Sequence, residues 1–170
     1  KICIFFCQKD KKTKCFCSLC GHEISEEQLG SFFTQKPIVI DTSALISRIV
    51  SKDLATSKHL AGCDFIIPSI AYEEMDTKQP FKKLGGTNEI QYIRQNQKIG
   101  LINLYEFDVE DYSDVANDKK FLRVIKARDA IMLTQDSNLA GFSSIGNFVI
   151  YIVESKESYM KKLEKLKNQT

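Results

Sequence analysis

The run Ile38-Val39-Ile40 constrains this chain more than any other stretch. Three β-branched residues with no charge among them read as a strand buried on both faces, the mark of a parallel sheet. Asp41 closes the run, and Thr42 and Ser43 then offer N-cap chemistry for a helix starting near Ala44. An acid at the carboxyl end of a buried parallel strand stands where open α/β sheets place their sites. An acid just ahead of a helix also suits a cap, and this stretch alone leaves both roles open for Asp41.

The same pattern recurs downstream. Phe65–Ile67, stopped by Pro68, then Gly100–Phe107, Ala130–Leu133 and Phe148–Val153 read as four more strands. Between them, helices are expected over Ala44–Val50, Leu54–Leu60, Ser69–Asp76 (capped by Ser69), Asn88–Gln97 and onward from Asn117, with a Lys-rich amphipathic helix over Ser155–Lys167. Pro80–Gly86 reads as a basic loop. Strands alternating with helices predict an α/β, three-layer fold: a central parallel sheet of about five strands, flanked by helices.

A chain of 170 residues suffices for one medium domain and a small appendage. With a net charge of +2, overall charge neither demands nor excludes nucleic acid. No apolar run approaches the roughly 18–20 residues that span a bilayer, so a cytoplasmic protein with no membrane partner is expected.

The appendage is marked by cysteines: Cys3, Cys7, Cys15, Cys17 and Cys20 all fall in the first twenty residues. Cys17-Ser18-Leu19-Cys20-Gly21 has the C-x-x-C-G form of a zinc knuckle. Cys3 and Cys7 can supply a second thiolate pair across a hairpin whose tip is Gln8–Lys14. Cys15 and His22 compete with Cys3 for the fourth ligand position. Four protein ligands make such a zinc structural, holding together a segment too small to bury a core. A disulfide module is the alternative, and it needs an oxidising compartment that nothing else here suggests. Lone Cys63 reads as a small buried apolar residue. The organisation expected is a zinc module over 1–24, a linker over 25–36 (Glu23–Gln35 reading as a short helix or linker), the α/β domain over 37–154 and a C-terminal helix over 155–170.

Four acids follow strands or open helices at what should be one edge of the sheet: Asp41, Glu74, Asp118 and Asp136. Carboxylates converging there repel one another unless a divalent cation neutralises them. Oxygen ligands without histidine suit Mg²⁺ or Mn²⁺, ions that serve phosphate chemistry. Glu73 is adjacent to Glu74 and competes with it. Asp129, just ahead of the Ala130 strand, reads as a helix-end or turn residue beside Arg128.

With these motifs in order, Lys36 to about Val153 resembles a PIN domain, the metal-dependent nuclease fold. The likeness rests on V-I-D-T-S at Val39–Ser43, I-P-S-I-A-Y-E-E-M at Ile67–Met75, N-D-K-K-F-L at Asn117–Leu122 and L-T-Q-D-S-N-L at Leu133–Leu139. The resemblance implies a catalytic, metal-holding set of Asp41, Glu74, Asp118 and Asp136, with Ser43 and Thr134 as the hydroxyls beside the first and last acids. It further implies an endoribonuclease using Mg²⁺ or Mn²⁺ for in-line hydrolysis that leaves a 5′-phosphate and a 3′-hydroxyl. Lys119 and Lys120, together with Lys82, Lys83, Arg123 and Lys126, are the basic groups expected to meet RNA. The family includes toxin-like enzymes and ribosome-maturation nucleases, so rRNA or tRNA, a second copy, an antitoxin or a ribosomal partner are all implied. A catalytically quiet PIN domain that binds RNA or protein, and a DNA-directed nuclease, are the alternatives.

Overall fold

The charge-free run becomes the strand on which the main sheet is built. The structure, a computed structural model, describes residues 5–8, 15–17, 23–56, 58–107, 116–136 and 151–154. Strand β4 (Ile38–Ile40) is buried throughout. It lies between β5 (Asp64–Pro68) and β7 (Ile131–Leu133), parallel to both, and β6 (Asn103–Phe107) extends the sheet beyond β5. The order β6-β5-β4-β7 makes four parallel strands, flanked by helices α2 (Thr42–Ile46), α3 (Ile49–Ala55), α4 (Ser69–Asp76), α5 (Pro80–Lys98) and α6 (Asn117–Arg128). Its core joins the strand residues Ile38, Val39, Ile40, Phe65, Ile67 and Met132 to helix residues such as Leu45, Ile70, Ile93 and Phe121. Cys63 joins that core, 1% exposed, and burial pushes its thiol up to about 12. Among the described residues no helix is long and apolar enough to cross a membrane.

The chain runs from β4 outward to β5 and β6, then returns to place β7 on the other side of β4. The sheet therefore changes direction between β4 and β7. A crevice opens outside the carboxyl ends of strands at such a point, because the connections leaving the two neighbours diverge to opposite faces.

Three expectations need correction. Pro80–Gly86 is the first part of one nineteen-residue helix, α5, not a loop. Pro80 occupies the first helical positions, where its missing N–H costs nothing. Gly85 and Gly86 allow close approach: a Cβ on Gly85 would meet the Ile46 carbonyl oxygen at 3.1 Å, and one on Gly86 would collide with the Met75 sulfur. Second, the N-cap position of α4 falls to Pro68, and Ser69 is the first residue of the helix. Third, the last apolar run forms strand β8 (Tyr151–Glu154) outside the parallel sheet. It pairs in parallel with β1 (Phe5–Gln8), whose other edge carries β2 (Cys15–Cys17) and then β3 (Glu23–Ile24). An apolar run specifies a strand but not its neighbour, and β1 offers β8 a free row of amides and carbonyls.

The stretch Glu23–Gln35, read as a short helix or linker, holds helix α1 (Glu26–Phe33). Ser25 and Gln28 close a reciprocal capping box: the Ser25 N–H donates to Gln28 Oε1 at 3.0 Å, and the Gln28 N–H to Ser25 Oγ at 3.2 Å. Phe33, fully buried, anchors its end in the core. Asp129 is the C-cap of α6 in the left-handed conformation, φ 47°, and pairs with Lys36 at 2.6 Å.

Candidate active site

At the change of sheet direction, the loops after β4 and β7 are joined through one carboxylate. The Asp41 N–H donates to the Leu133 carbonyl at 3.0 Å, which continues the β4–β7 pairing by one residue. Asp41 is 4% exposed. Its Oδ1 accepts the Ser43 N–H at 2.7 Å, the N-cap bond of α2. Its Oδ2 accepts the Ser43 hydroxyl at 2.6 Å and also the Thr134 hydroxyl. Each hydroxyl oxygen in turn accepts a backbone amide from the strand β7 side: Gln135 N–H on Ser43 Oγ at 2.8 Å, and Asp136 N–H on Thr134 Oγ1 at 2.9 Å.

Three donors converge on the Asp41 carboxyl, two of them on the same oxygen, an arrangement that suits its ionised form. The Asp41 carboxyl nonetheless lies above its ordinary value: burial raises it, the Ser43 and Thr134 bonds pull it back, and Glu74 adds repulsion. Capping therefore belongs to Asp41 itself, and the cap and the cleft-lining acid are one side chain. Ser43 and Thr134, expected to meet substrate, spend their protons on Asp41, and Thr134 is fully buried. They orient the carboxylate.

A cleft of ≈ 470 Å³ opens beside this network, and all four expected acids, Asp41, Glu74, Asp118 and Asp136, are on its wall. They arrive from four segments: the end of β4, the middle of α4, the first turn of α6 and the residues after β7. Glu74 is half-buried where Glu73 is exposed, and Glu74 Oε2 accepts the Thr42 hydroxyl at 2.5 Å. The Asp118 carboxyl is raised by burial first, then by the charges of Asp136 and Glu74. That cross-talk is the electrostatic sign of acids sharing one space. Among the described residues, no three His, Cys, Asp or Glu side chains already form a group that could hold a metal ion. The four carboxylates line the cleft without closing on one point.

The cations on the cleft wall are Lys78 and Lys82. Lys119 and Lys120 follow Asp118 on α6 but do not line the cleft; Lys119 is exposed and Lys120 half-buried. Lys83 is tied to Asp76 at 2.6 Å. Lys78 escaped the sequence reading because its place depends on the turn between α4 and α5, and no periodicity reports a turn.

Of the expected zinc ligands, Cys3 and Cys20 lie outside the described residues, as does His22. Cys7 and Cys17 fall in β1 and β2, where Cys7 is the register partner of Cys15 and Phe5 that of Cys17.

Thr134→Val tests the network. Valine keeps the volume but removes the donor to Asp41 and the acceptor for the Asp136 N–H, so a loss of about 1–3 kcal/mol is expected. Urea unfolding measures it, and an unchanged midpoint would show that the hydroxyl carries nothing.

No family model matches the chain, and no curated protein matches it. Among the solved structures similar to it is a domain of a functionally unknown protein from Methanocaldococcus jannaschii DSM 2661. The two are 17% identical, the likeness covers 71% of this chain and 92% of that one, and the TM-score is 0.57. At that identity the likeness speaks to the fold alone: a layered α/β arrangement around a parallel sheet.

Proposed function

We propose that this chain is a PIN-like, Mg²⁺- or Mn²⁺-dependent endoribonuclease whose acids are Asp41, Glu74, Asp118 and Asp136. One observation carries the reading: four carboxylates from four separate chain segments line a single cleft at the point where the sheet changes direction. Gathering their charges in one place works against folding, since burial and mutual repulsion raise Asp41 and Asp118. An all-oxygen donor set of this kind fits a hard divalent cation, which also relieves that repulsion.

When bound, such an ion supplies Lewis acidity and activates water for phosphodiester hydrolysis. The chain's own part is positional. Asp41 is held rigidly by the Ser43 and Thr134 hydroxyls. Thr42 draws Glu74 toward α2 and so sets its place on the wall. Asp118, in the first turn of α6, and Asp136, whose amide is pinned by Thr134, flank the opening. Lys78 and Lys82 offer positive charge to the phosphates beside this wall. The N-terminal cysteines keep their reading as a structural zinc set, supported by the hairpin register that pairs Cys7 with Cys15, two residues from Cys17.

A second reading, a quiet PIN-like module that binds RNA without cutting it, is favoured by one observation: among the described residues no three acids converge. End-labelled RNA separates the two. Incubation with Mn²⁺ or Mg²⁺ is expected to yield fragments with 5′-phosphate and 3′-hydroxyl ends, abolished by a chelator. Intact RNA at saturating ion and protein would exclude the nuclease.

A further inference from the structure

Beside the acidic wall, the corner between α4 and α5 combines two features that the acids do not explain. Phe81, on the first turn of α5, is 87% exposed, and Leu84, one turn on, is 57% exposed. Lys78 and Lys82, bracketing Phe81 in the chain, stand on the cleft wall. Among the described residues neither has a carboxylate within ion-pair distance, although neighbouring Lys83 is engaged with Asp76.

We propose that this corner is a base-stacking subsite: Phe81 receives one unpaired base of the RNA, and Lys78 and Lys82 take the phosphates leading from it to the acids. The subsite rests on the nuclease reading only for the identity of its ligand as RNA. Three considerations support it. An aromatic face in water is a poor use of phenylalanine for folding but a good platform for an unstacked base, since every base has a π face.

The platform is also rigid. Gly85 and Gly86 let α5 lie directly against Ile46 and Met75, so the helix is held to α2 and α4 one turn beyond Phe81. Finally, a wall of four carboxylates repels phosphate, and a polyanion approaching it needs cations beside the acids. Lys78 and Lys82 are in that place.

A protein partner fits less well. A second copy docking on Phe81 and Leu84 through a two-fold axis would bring Lys78, Lys82 and Lys83 of one protomer against the same residues of the other, and like charges facing each other are costly.

Fluorescence anisotropy of the full chain with a labelled single-stranded RNA, with no added Mg²⁺ or Mn²⁺ so that no cutting occurs, tests the subsite. Phe81→Leu keeps the apolar bulk and removes the ring; it is expected to weaken single-strand binding about 5- to 100-fold, with Phe81→Tyr restoring it. A duplex of the same sequence should bind Phe81→Leu and wild type alike. Lys78→Gln and Lys82→Gln should each flatten the logarithmic salt dependence by about 0.7.

Single-strand binding by Phe81→Leu within twofold of wild type would overturn the subsite, as would an absence of wild-type binding. A wild-type dimer that Phe81→Leu dissociates in sedimentation would overturn it in favour of self-association. Because the readout needs no chemistry, the two readings fail separately. Cutting by wild type with unchanged Phe81→Leu binding removes the subsite alone, whereas ring-dependent binding without cutting removes the nuclease alone.

Discussion

Asp41→Asn should lower Mn²⁺- or Mg²⁺-dependent RNA cleavage by at least about a hundredfold, since loss of a mere outer-shell partner of a metal site costs about 10–100-fold. The fold should survive. Of the two carboxylate oxygens, Oδ2 already receives two hydroxyl protons and Oδ1 one amide, which leaves Oδ1 a single lone pair for anything in the cleft. An asparagine oxygen can keep the cap on the Ser43 N–H. Its amide nitrogen then faces Ser43 Oγ and Thr134 Oγ1, each of which already accepts a backbone amide and has one lone pair left for it, so both hydroxyl protons lose their acceptor on this side chain. The structural cost is about 1–3 kcal/mol, partly offset because a buried charge is removed. Single-turnover cleavage beside a thermal melt separates the two effects. Equal cutting by variant and wild type would end the assignment of Asp41.

Glu89→Ala carries the largest expected loss of stability. Glu89 sits in α5, fully buried. It reaches across to the start of α3, where its Oε1 accepts the Ser51 N–H at 2.8 Å. One helix thus supplies the cap that another lacks, since Arg48 at the N-cap is left-handed, φ 57°, and makes no side-chain cap bond. Removing the carboxylate orphans that amide and leaves a hole, at a cost of about 2–4 kcal/mol in urea unfolding.

Glu89→Gln behaves differently. Its oxygen can still cap, and it lacks the charge. Glu89 Oε2 is buried with no hydrogen-bond partner and lies 3.9 Å from Arg48 Nε. Burial raises the Glu89 carboxyl, outweighing its Ser51 partner and Arg48. A carboxyl raised in the folded state favours folding in its protonated form. Its stabilisation is complete below the unfolded value of about 4.3 and is lost as pH rises through the higher folded value. Wild-type stability should therefore fall relative to Glu89→Gln over that window, with the glutamine variant equal or more stable at neutral pH. Parallel slopes for the two proteins would refute the charge argument.

What could be read from residue order follows a physical rule. Charge-free runs such as Ile38–Ile40 and Ile131–Leu133 declare strands because only a doubly covered strand can afford no polar face. Their neighbours are decided by the whole fold, which is why Tyr151–Glu154 pairs with Phe5–Gln8. Pro80, Gly85 and Gly86 look like punctuation, yet one opens a helix and two let it approach its neighbours. The acids were legible as a set because strand ends and helix starts are local features. The division of labour around Asp41 was not, since it needs Thr134 brought beside Ser43 from the end of the neighbouring strand β7, 91 residues away in sequence.

The pairing of Phe5–Gln8 with Tyr151–Glu154 also bears on how the chain is made. A ribosome produces the first of these strands long before the second, at about 5–20 residues per second, so one edge of the N-terminal sheet waits on the order of ten seconds for its partner. Local hairpin pairing with Cys15–Cys17 can form at once, but the parallel rung must close a loop through nearly everything between, the slowest kind of contact. During that interval the waiting edge is a template for any other nascent strand. Crowded synthesis is then a condition that exposes this edge to aggregation.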